Sequence, residues 1–106
     1  MISYITGKIK RRAEESLVID VNGIAYEVLI PKAVMNILET NLSPEGCIEL
    51  VTYHYLHVEA SRSKPILIGF LNEVEKEFFE QFITVSGVGP KAAVRALSLP
   101  ISVIAE

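Results

Sequence analysis

The chain is predicted to be mainly β, then α: a small five-stranded barrel followed by paired helices, within the α+β class. Three observations predict this. Five short strand-like stretches precede residue 72, most of them alternating apolar and polar residues with a period of two, the period then lengthens to that of a helix, and a glycine-rich turn interrupts the helical part. With 106 residues, 50% of them hydrophobic and 22% charged, the chain has enough apolar surface for a folded unit and too much for a disordered one.

Ile2 to Arg12 reads as the first strand, with Lys8, Lys10 and Arg12 on one face and Ile5, Gly7 and Ile9 on the other. Glu14-Glu15-Ser16 turns the chain. Leu17, Ile19 and Val21 then alternate with Val18 and Asp20 in a second strand. Asn22-Gly23 follows, and a two-residue hairpin needs positive φ at both central positions, which these residues tolerate. Ile24, Tyr26, Val28 and Ile30 form the third strand, and Pro31, lacking an N–H, ends it. Lys32 to Leu38 is expected to be a short helix and Asn41 to Gly46 a loop. Cys47 to Val58 reads as a long fourth strand, Glu59 to Lys64 as a polar loop, and Pro65 to Leu71 as the fifth strand. Five strands with a small helix between the third and fourth match an OB-fold Greek-key barrel over residues 1–71.

Residues 72–106 are expected to be helical. Asn72 with Glu75 three positions on forms the pattern of a capping box, and Val74, Phe78 and Phe82 recur at helical spacing, flanked by Phe79 and Ile83, with the three phenylalanines read first as core or subunit-interface residues. Gly87-Val88-Gly89 stops that helix. Pro90 stands where the first residue of the next helix falls, a position that tolerates proline. Ala92, Ala93, Val94, Ala96 and Leu97 continue it, small enough for close helix packing, and Leu99-Pro100 breaks it. Ile101 to Glu106 is too short for an element of its own, so the chain is expected to end inside a helical region.

Composition excludes several functions. One cysteine cannot form an internal disulfide or a multi-cysteine zinc site, and it suits a reducing cytoplasm. No apolar run approaches the roughly twenty residues that span a bilayer, and the opening lacks the basic and apolar regions of a secretory signal. A net charge of −3 argues against a generic polycation coating nucleic acid. Locally the balance reverses: residues 1–12 carry Lys8, Lys10, Arg11 and Arg12 without an acid, and residues 86–100 carry Lys91 and Arg95 without one. No phosphate-binding Gly-x-x-x-x-Gly-Lys-Ser/Thr motif is present, and no acid–base pair stands out, so intrinsic catalysis is not expected. His54 and His57, three apart on a strand, point to opposite faces and make a poor metal pair; Cys47 reads as a small buried apolar residue. No metal or cofactor is expected.

The chemistry concentrates in Val85-Ser86-Gly87-Val88-Gly89-Pro90-Lys91-Ala92-Ala93. Glycines at both ends of a tight turn can take positive φ and let another backbone approach. Val88 between them can reach into the space between the helices. The amides of Gly89 and of the following turn are then expected to point outward, where free N–H groups bind anions, and Lys91 adds a charge for the same phosphate. Such a helix-hairpin-helix unit holds a DNA backbone without reading bases. The bland alternative is a plain turn between two helices.

The Met-Ile opening, then Val21-Asn22-Gly23-Ile24-Ala25-Tyr26-Glu27-Val28, Gly69-Phe70 and Gly87-Val88-Gly89-Pro90-Lys91, in that order and spacing, resemble the RuvA family along the whole chain. RuvA proteins are the bacterial Holliday junction-binding subunits of RuvAB branch-migration complexes. The resemblance implies a non-catalytic, cytoplasmic platform for four-way junction DNA in recombination, DNA repair and the SOS response. It implies homotetramers that hold the junction open for RuvB-like ATPase rings, and no membrane. Matched position by position, Gly87, Val88, Gly89 and Lys91 fall on the family's first hairpin, and the basic strand of Lys8, Lys10 and Arg12 is a further candidate for the DNA-facing side. Family members continue into a second hairpin and a RuvB-contacting domain, so residues 72–106 are expected to be the first helix-hairpin-helix of a longer helical domain. The family also places two adjacent acids between the fourth and fifth strands as an acidic pin that repels phosphates. Here Glu59 alone matches, followed by Ala60, Arg62 and Lys64 in a loop that reads as longer, so a weakened pin is expected. Two other classes remain open: an OB-fold protein-interaction module with a merely structural hairpin, and a single-stranded DNA binder using Tyr53 and Tyr55.

Overall fold

A computed structural model describes residues 1–97, apart from the side chains of Glu39, Asn41 and Glu59. Five strands close into a barrel: β1 (Tyr4–Arg12), β2 (Ser16–Val21), β3 (Ile24–Leu29), β4 (Cys47–Glu59) and β5 (Arg62–Phe70), in the spatial order β1-β2-β3-β5-β4. A short helix α1 (Lys32–Asn36) and a 3₁₀ turn (Leu38–Asn41) join β3 to β4, and α2 (Glu73–Ser86) and α3 (Pro90–Ala96) follow β5. The five-stranded barrel followed by helices is therefore as the hydrophobic periods predict. The proposed break at Leu99-Pro100 and the segment from Ile101 to Glu106 lie outside the described residues.

Asn22 (φ 53°) and Gly23 (φ 93°) both adopt the positive φ that the β2–β3 turn demands, and the Gly23 N–H donates to Asp20 Oδ1 at 2.9 Å. From that turn the strands pair from Val21↔Ile24 to Ser16↔Leu29. The barrel closes through one parallel contact, β3 to β5 at Val28↔Leu67 and Leu29↔Ile68; every other neighbouring pair is antiparallel. Ile5, Leu17, Ile19, Val28, Ile30 and Leu50 are buried in the core. Gly7 is required where β1 meets β2: a Cβ there would lie 2.4 Å from the Asp20 carbonyl oxygen and 2.9 Å from Ile19 Cγ2.

Three expectations need correction. The first strand begins at Tyr4, because Ile2 and Ser3 are held individually by β4: Ile2 N–H donates to His54 Nδ1 (3.0 Å), the Thr52 hydroxyl to Ile2 O (2.5 Å), and Thr52 N–H to Ser3 O (2.8 Å). The basic residues of that strand do not share a face. The register shifts between Ile9 and Arg11, so Lys8 stands opposite Asp20 and Arg11 opposite Val18, whereas Arg12 stands opposite inward-facing Leu17. A bulge inserts one residue and reverses the alternation beyond it. Finally, the polar stretch from Glu59 to Lys64 is not a loop. β4 and β5 stay paired to Glu59↔Arg62, and only Ala60 and Ser61 turn. Antiparallel pairing does not require apolar side chains where both faces meet water, and this turn lacks the Asn or Gly that marks such a reversal in sequence.

The helices lie against the outer face of β4 and β5. Phe79 is fully buried there, its ring 5.1 Å from Phe70 and 5.6 Å from Tyr53. Phe78 and Phe82 are only half-buried and Val74 is exposed, so the flanking Phe79 carries the burial of α2 expected to centre on the Val74–Phe78–Phe82 line. Ala93, Val94 and Leu97 at α3 join the same continuous core cluster as the barrel residues. Asn72 caps α2 by accepting the Glu75 N–H (2.9 Å), and Glu75 reaches back to accept the Leu71 N–H (2.9 Å), one residue before the position a standard capping box uses. The Tyr4 hydroxyl donates to Glu73 Oε1, which ties β1 to the start of α2.

Phe79→Ala is expected to lower stability by about 3–5 kcal/mol in urea unfolding, because it empties the seam between helix and barrel. Gly7→Ala is expected to cost about 1–3 kcal/mol by forcing β1 away from the Asp20 backbone.

Candidate nucleic-acid interface

α2 ends at Gly87, whose φ of 73° is the left-handed conformation of a C-cap glycine. The Ser86 hydroxyl secures the turn, donating to Phe82 O at 2.6 Å and accepting the Val88 N–H at 3.2 Å. Val88 is half-buried against the core cluster, as expected of the apolar residue between two glycines. Gly89 departs from expectation: its φ is −67° and its ψ 158°. Pro90 is the reason, since a residue preceding proline is pushed toward extended backbone.

Gly89 therefore has no conformational need to be glycine, and it has no steric one either. A Cβ built there meets nothing within 4 Å. The Gly89 carbonyl accepts the Ala93 N–H at 2.9 Å, whereas no hydrogen bond among the described residues occupies the N–H groups of Gly89, Lys91 or Ala92. Gly89, Lys91 and Ala92 are all exposed residues; of the two small alanines, only Ala93 is used for packing.

The other basic candidates are dispersed. Lys8 faces an acid across the β1–β2 ladder, and the bulge between Ile9 and Arg11 separates it in orientation from Arg12. Arg95 on α3 pairs with Glu15 (Nε to Oε2, 3.5 Å), an exposed contact of small energetic worth. Glu59 is the last residue of β4, opposite Arg62 in the ladder. Sequence reasoning missed one grouping of basic residues. Lys91 lines a cleft of about 150 Å³ with His57, Arg62, Lys64 and Ile66 from the far end of the β4–β5 hairpin. Its only trace in the sequence is the run Arg62-Ser63-Lys64, which reads as a loop.

The remaining candidates are accounted for by structure. The His54 ring accepts the Ile2 N–H, and among the described residues no group of three or more His, Cys, Asp or Glu side chains is placed to hold a metal. Cys47 is half-buried at the start of β4. Tyr53 and Tyr55 are half-buried, their ring centres 5.8 Å apart and Tyr53 edge-on to Phe79, so they form no open stacking surface. Burial raises the phenol pKa of Tyr55, whose hydroxyl has no partner among the described residues; the hydrogen bond to Glu73 raises that of Tyr4. No described helix is long and apolar enough to cross a membrane.

The chain is similar to known proteins along its length. Residues 1–61 match the family described as RuvA N terminal domain. The chain is 41% identical over 105 residues to the Holliday junction branch migration complex subunit RuvA of Desulfatibacillum aliphaticivorans, covering 99% of the chain and 50% of that relative. It is 39% identical over 107 residues to the protein of the same name from Desulfosudis oleivorans, covering 100% of the chain and 50% of the relative. Against the protein of that name from Oceanobacillus iheyensis it is 39% identical over 98 residues, with 92% and 45% covered. The chain thus spans about half the length of the curated relatives it matches.

The two turn glycines are expected to respond oppositely to alanine. Gly87→Ala should cost about 1–2 kcal/mol in urea unfolding, because an L side chain is strained at positive φ. Gly89→Ala should be neutral or stabilise by up to about 1 kcal/mol, because its backbone suits alanine and the unfolded chain loses freedom.

Proposed function

The chain belongs to the RuvA N-terminal domain family, and on that premise we propose that it binds four-way junction DNA as the non-catalytic platform of a branch-migration complex. The carrying observation is the match along the whole chain to proteins named as subunits of Holliday junction branch migration complexes. The free N–H groups at Gly89, Lys91 and Ala92 hold phosphate oxygens of a duplex arm. Lys91 adds a positive charge, and the bases go unread. The open space at Gly89 supports this reading, because a glycine that the fold does not need leaves room for a foreign backbone.

Four copies of the full-length protein form the platform in this reading, and a RuvB-like ATPase supplies the energy that this chain has no phosphate-binding motif to harvest. Lys8, Lys10 and Arg12 contribute at most a diffuse positive field on the β1 side, since no single face collects them. Glu59 is the lone acid candidate for the pin at the junction centre. A Glu59→Gln full-length protein that migrates branches at the unaltered rate would remove it from that role.

The test is fluorescence anisotropy of the chain on a four-way junction, a linear duplex and a single strand at matched salt. Preference for the junction is expected. Lys91→Glu is expected to weaken junction binding on the order of tenfold and to lower the slope of log affinity against log salt by about one, with unchanged unfolding. Near-native affinity of Lys91→Glu would refute the turn as the DNA contact. Preference for single strands would transfer the function to the barrel.

A further inference from the structure

Residues 86–100 carry Lys91 and Arg95 and no acid, yet the fold supplies one from far upstream in the chain. Arg95 Nε lies 3.5 Å from Glu15 Oε2, and Glu15 belongs to the turn between β1 and β2. That turn is fixed to the barrel: the Ile30 N–H donates to Glu15 O at 2.7 Å, and the Ala13 N–H to Ser16 O at 2.9 Å. The sheet therefore sets the position of Glu15, whereas Arg95 reaches it with a long side chain that is 68% exposed. Lys91 and Arg95, four residues apart on α3, lie on one face of the helix. Both line a cleft of about 450 Å³ with Glu14 and Glu15, so two acids there offset two cations.

The contact between Glu15 and Arg95 is of a kind that exchanges. At 3.5 Å it is longer than the roughly 2.7–2.9 Å of a charge-assisted hydrogen bond, and exposed pairs of this sort are held weakly. Arg95 has no other ion pair among the described residues. A phosphodiester offers the guanidinium fork two oxygens at once, which a single long contact to one carboxylate oxygen does not. DNA lying across the turn brings such a group within reach. Lys91 stands in the first turn of α3, and Arg95 follows one helical turn farther along the same face.

We propose that Arg95 is a further phosphate contact on α3 and that Glu15 competes for it: DNA seated on the turn takes the guanidinium from the carboxylate, and the carboxylate sets how tightly a duplex arm is held. This rests on the DNA-binding reading above. It adds one contact beyond the turn and one barrel residue that restrains it.

The test is salt-dependent anisotropy on a four-way junction for Glu15→Gln, Arg95→Gln and the double variant, with a ¹⁵N NMR titration that follows the Arg95 Nε–H. Glu15→Gln is expected to tighten binding severalfold and to steepen the salt slope by up to about 0.9, because Arg95 is then free to neutralise a phosphate. Arg95→Gln is expected to weaken binding severalfold, and adding Glu15→Gln to it to change affinity by less than about twofold. Junction DNA should shift the Arg95 Nε–H together with the amides of residues 87–92. Tightening by Glu15→Gln that is equal with and without Arg95 would reduce the carboxylate to general repulsion and overturn the competition. Shifts at residues 87–92 with the Arg95 Nε–H unmoved would overturn the Arg95 contact and leave the turn reading intact. A shift of the Arg95 Nε–H without shifts at residues 87–92 would support the contact and overturn the turn. A chain that binds no DNA at any salt would overturn both.

Discussion

The seat of Phe79 between Phe70 and Tyr53 is the contact on which the functional geometry depends. β4 and β5 are the longest pair in the barrel, and their outer face carries large apolar side chains that only a covering helix can remove from water. α2 does so through one fully buried phenylalanine, and α3 follows with Ala93, Val94 and Leu97. Helices and barrel thus share one core, and the turn between the helices sits at a fixed place above the sheet.

That placement brings together basic residues that lie far apart in the sequence. The net charge of −3 is spread over the surface, whereas the seam brings Lys91 to the free end of the β4–β5 hairpin beside Arg62 and Lys64. Gly89 stands in the turn that this seam holds in place. Inside the chain nothing crowds it: a Cβ there meets no atom within 4 Å.

The basic strand shows the opposite case. Lys8, Lys10 and Arg12 look like one stripe when strand period alone is applied, yet the register shift after Ile9 divides them, and Asp20 stands opposite Lys8. The bulge follows from β1 pairing with β2 on one edge and β4 on the other while the barrel curves; one extra residue absorbs the bend. Nothing local in Ile9-Lys10-Arg11 signals it.

The sequence by itself determined the number of strands, the Asn22-Gly23 reversal, the cap at Asn72, the change of period after residue 71 and the Gly-Val-Gly-Pro turn. Each of these depends on a residue's own backbone preferences or on neighbours a few positions away, and such short-range physics is written in the order of residues. Tertiary structure alone decided the register of β1, the length of the β4–β5 hairpin, the choice of Phe79 over Phe78 as the buried ring, and the meeting of Lys64 with Lys91. Those outcomes arise from barrel closure and helix docking, which join positions tens of residues apart, and no periodicity along the chain encodes a distance across it.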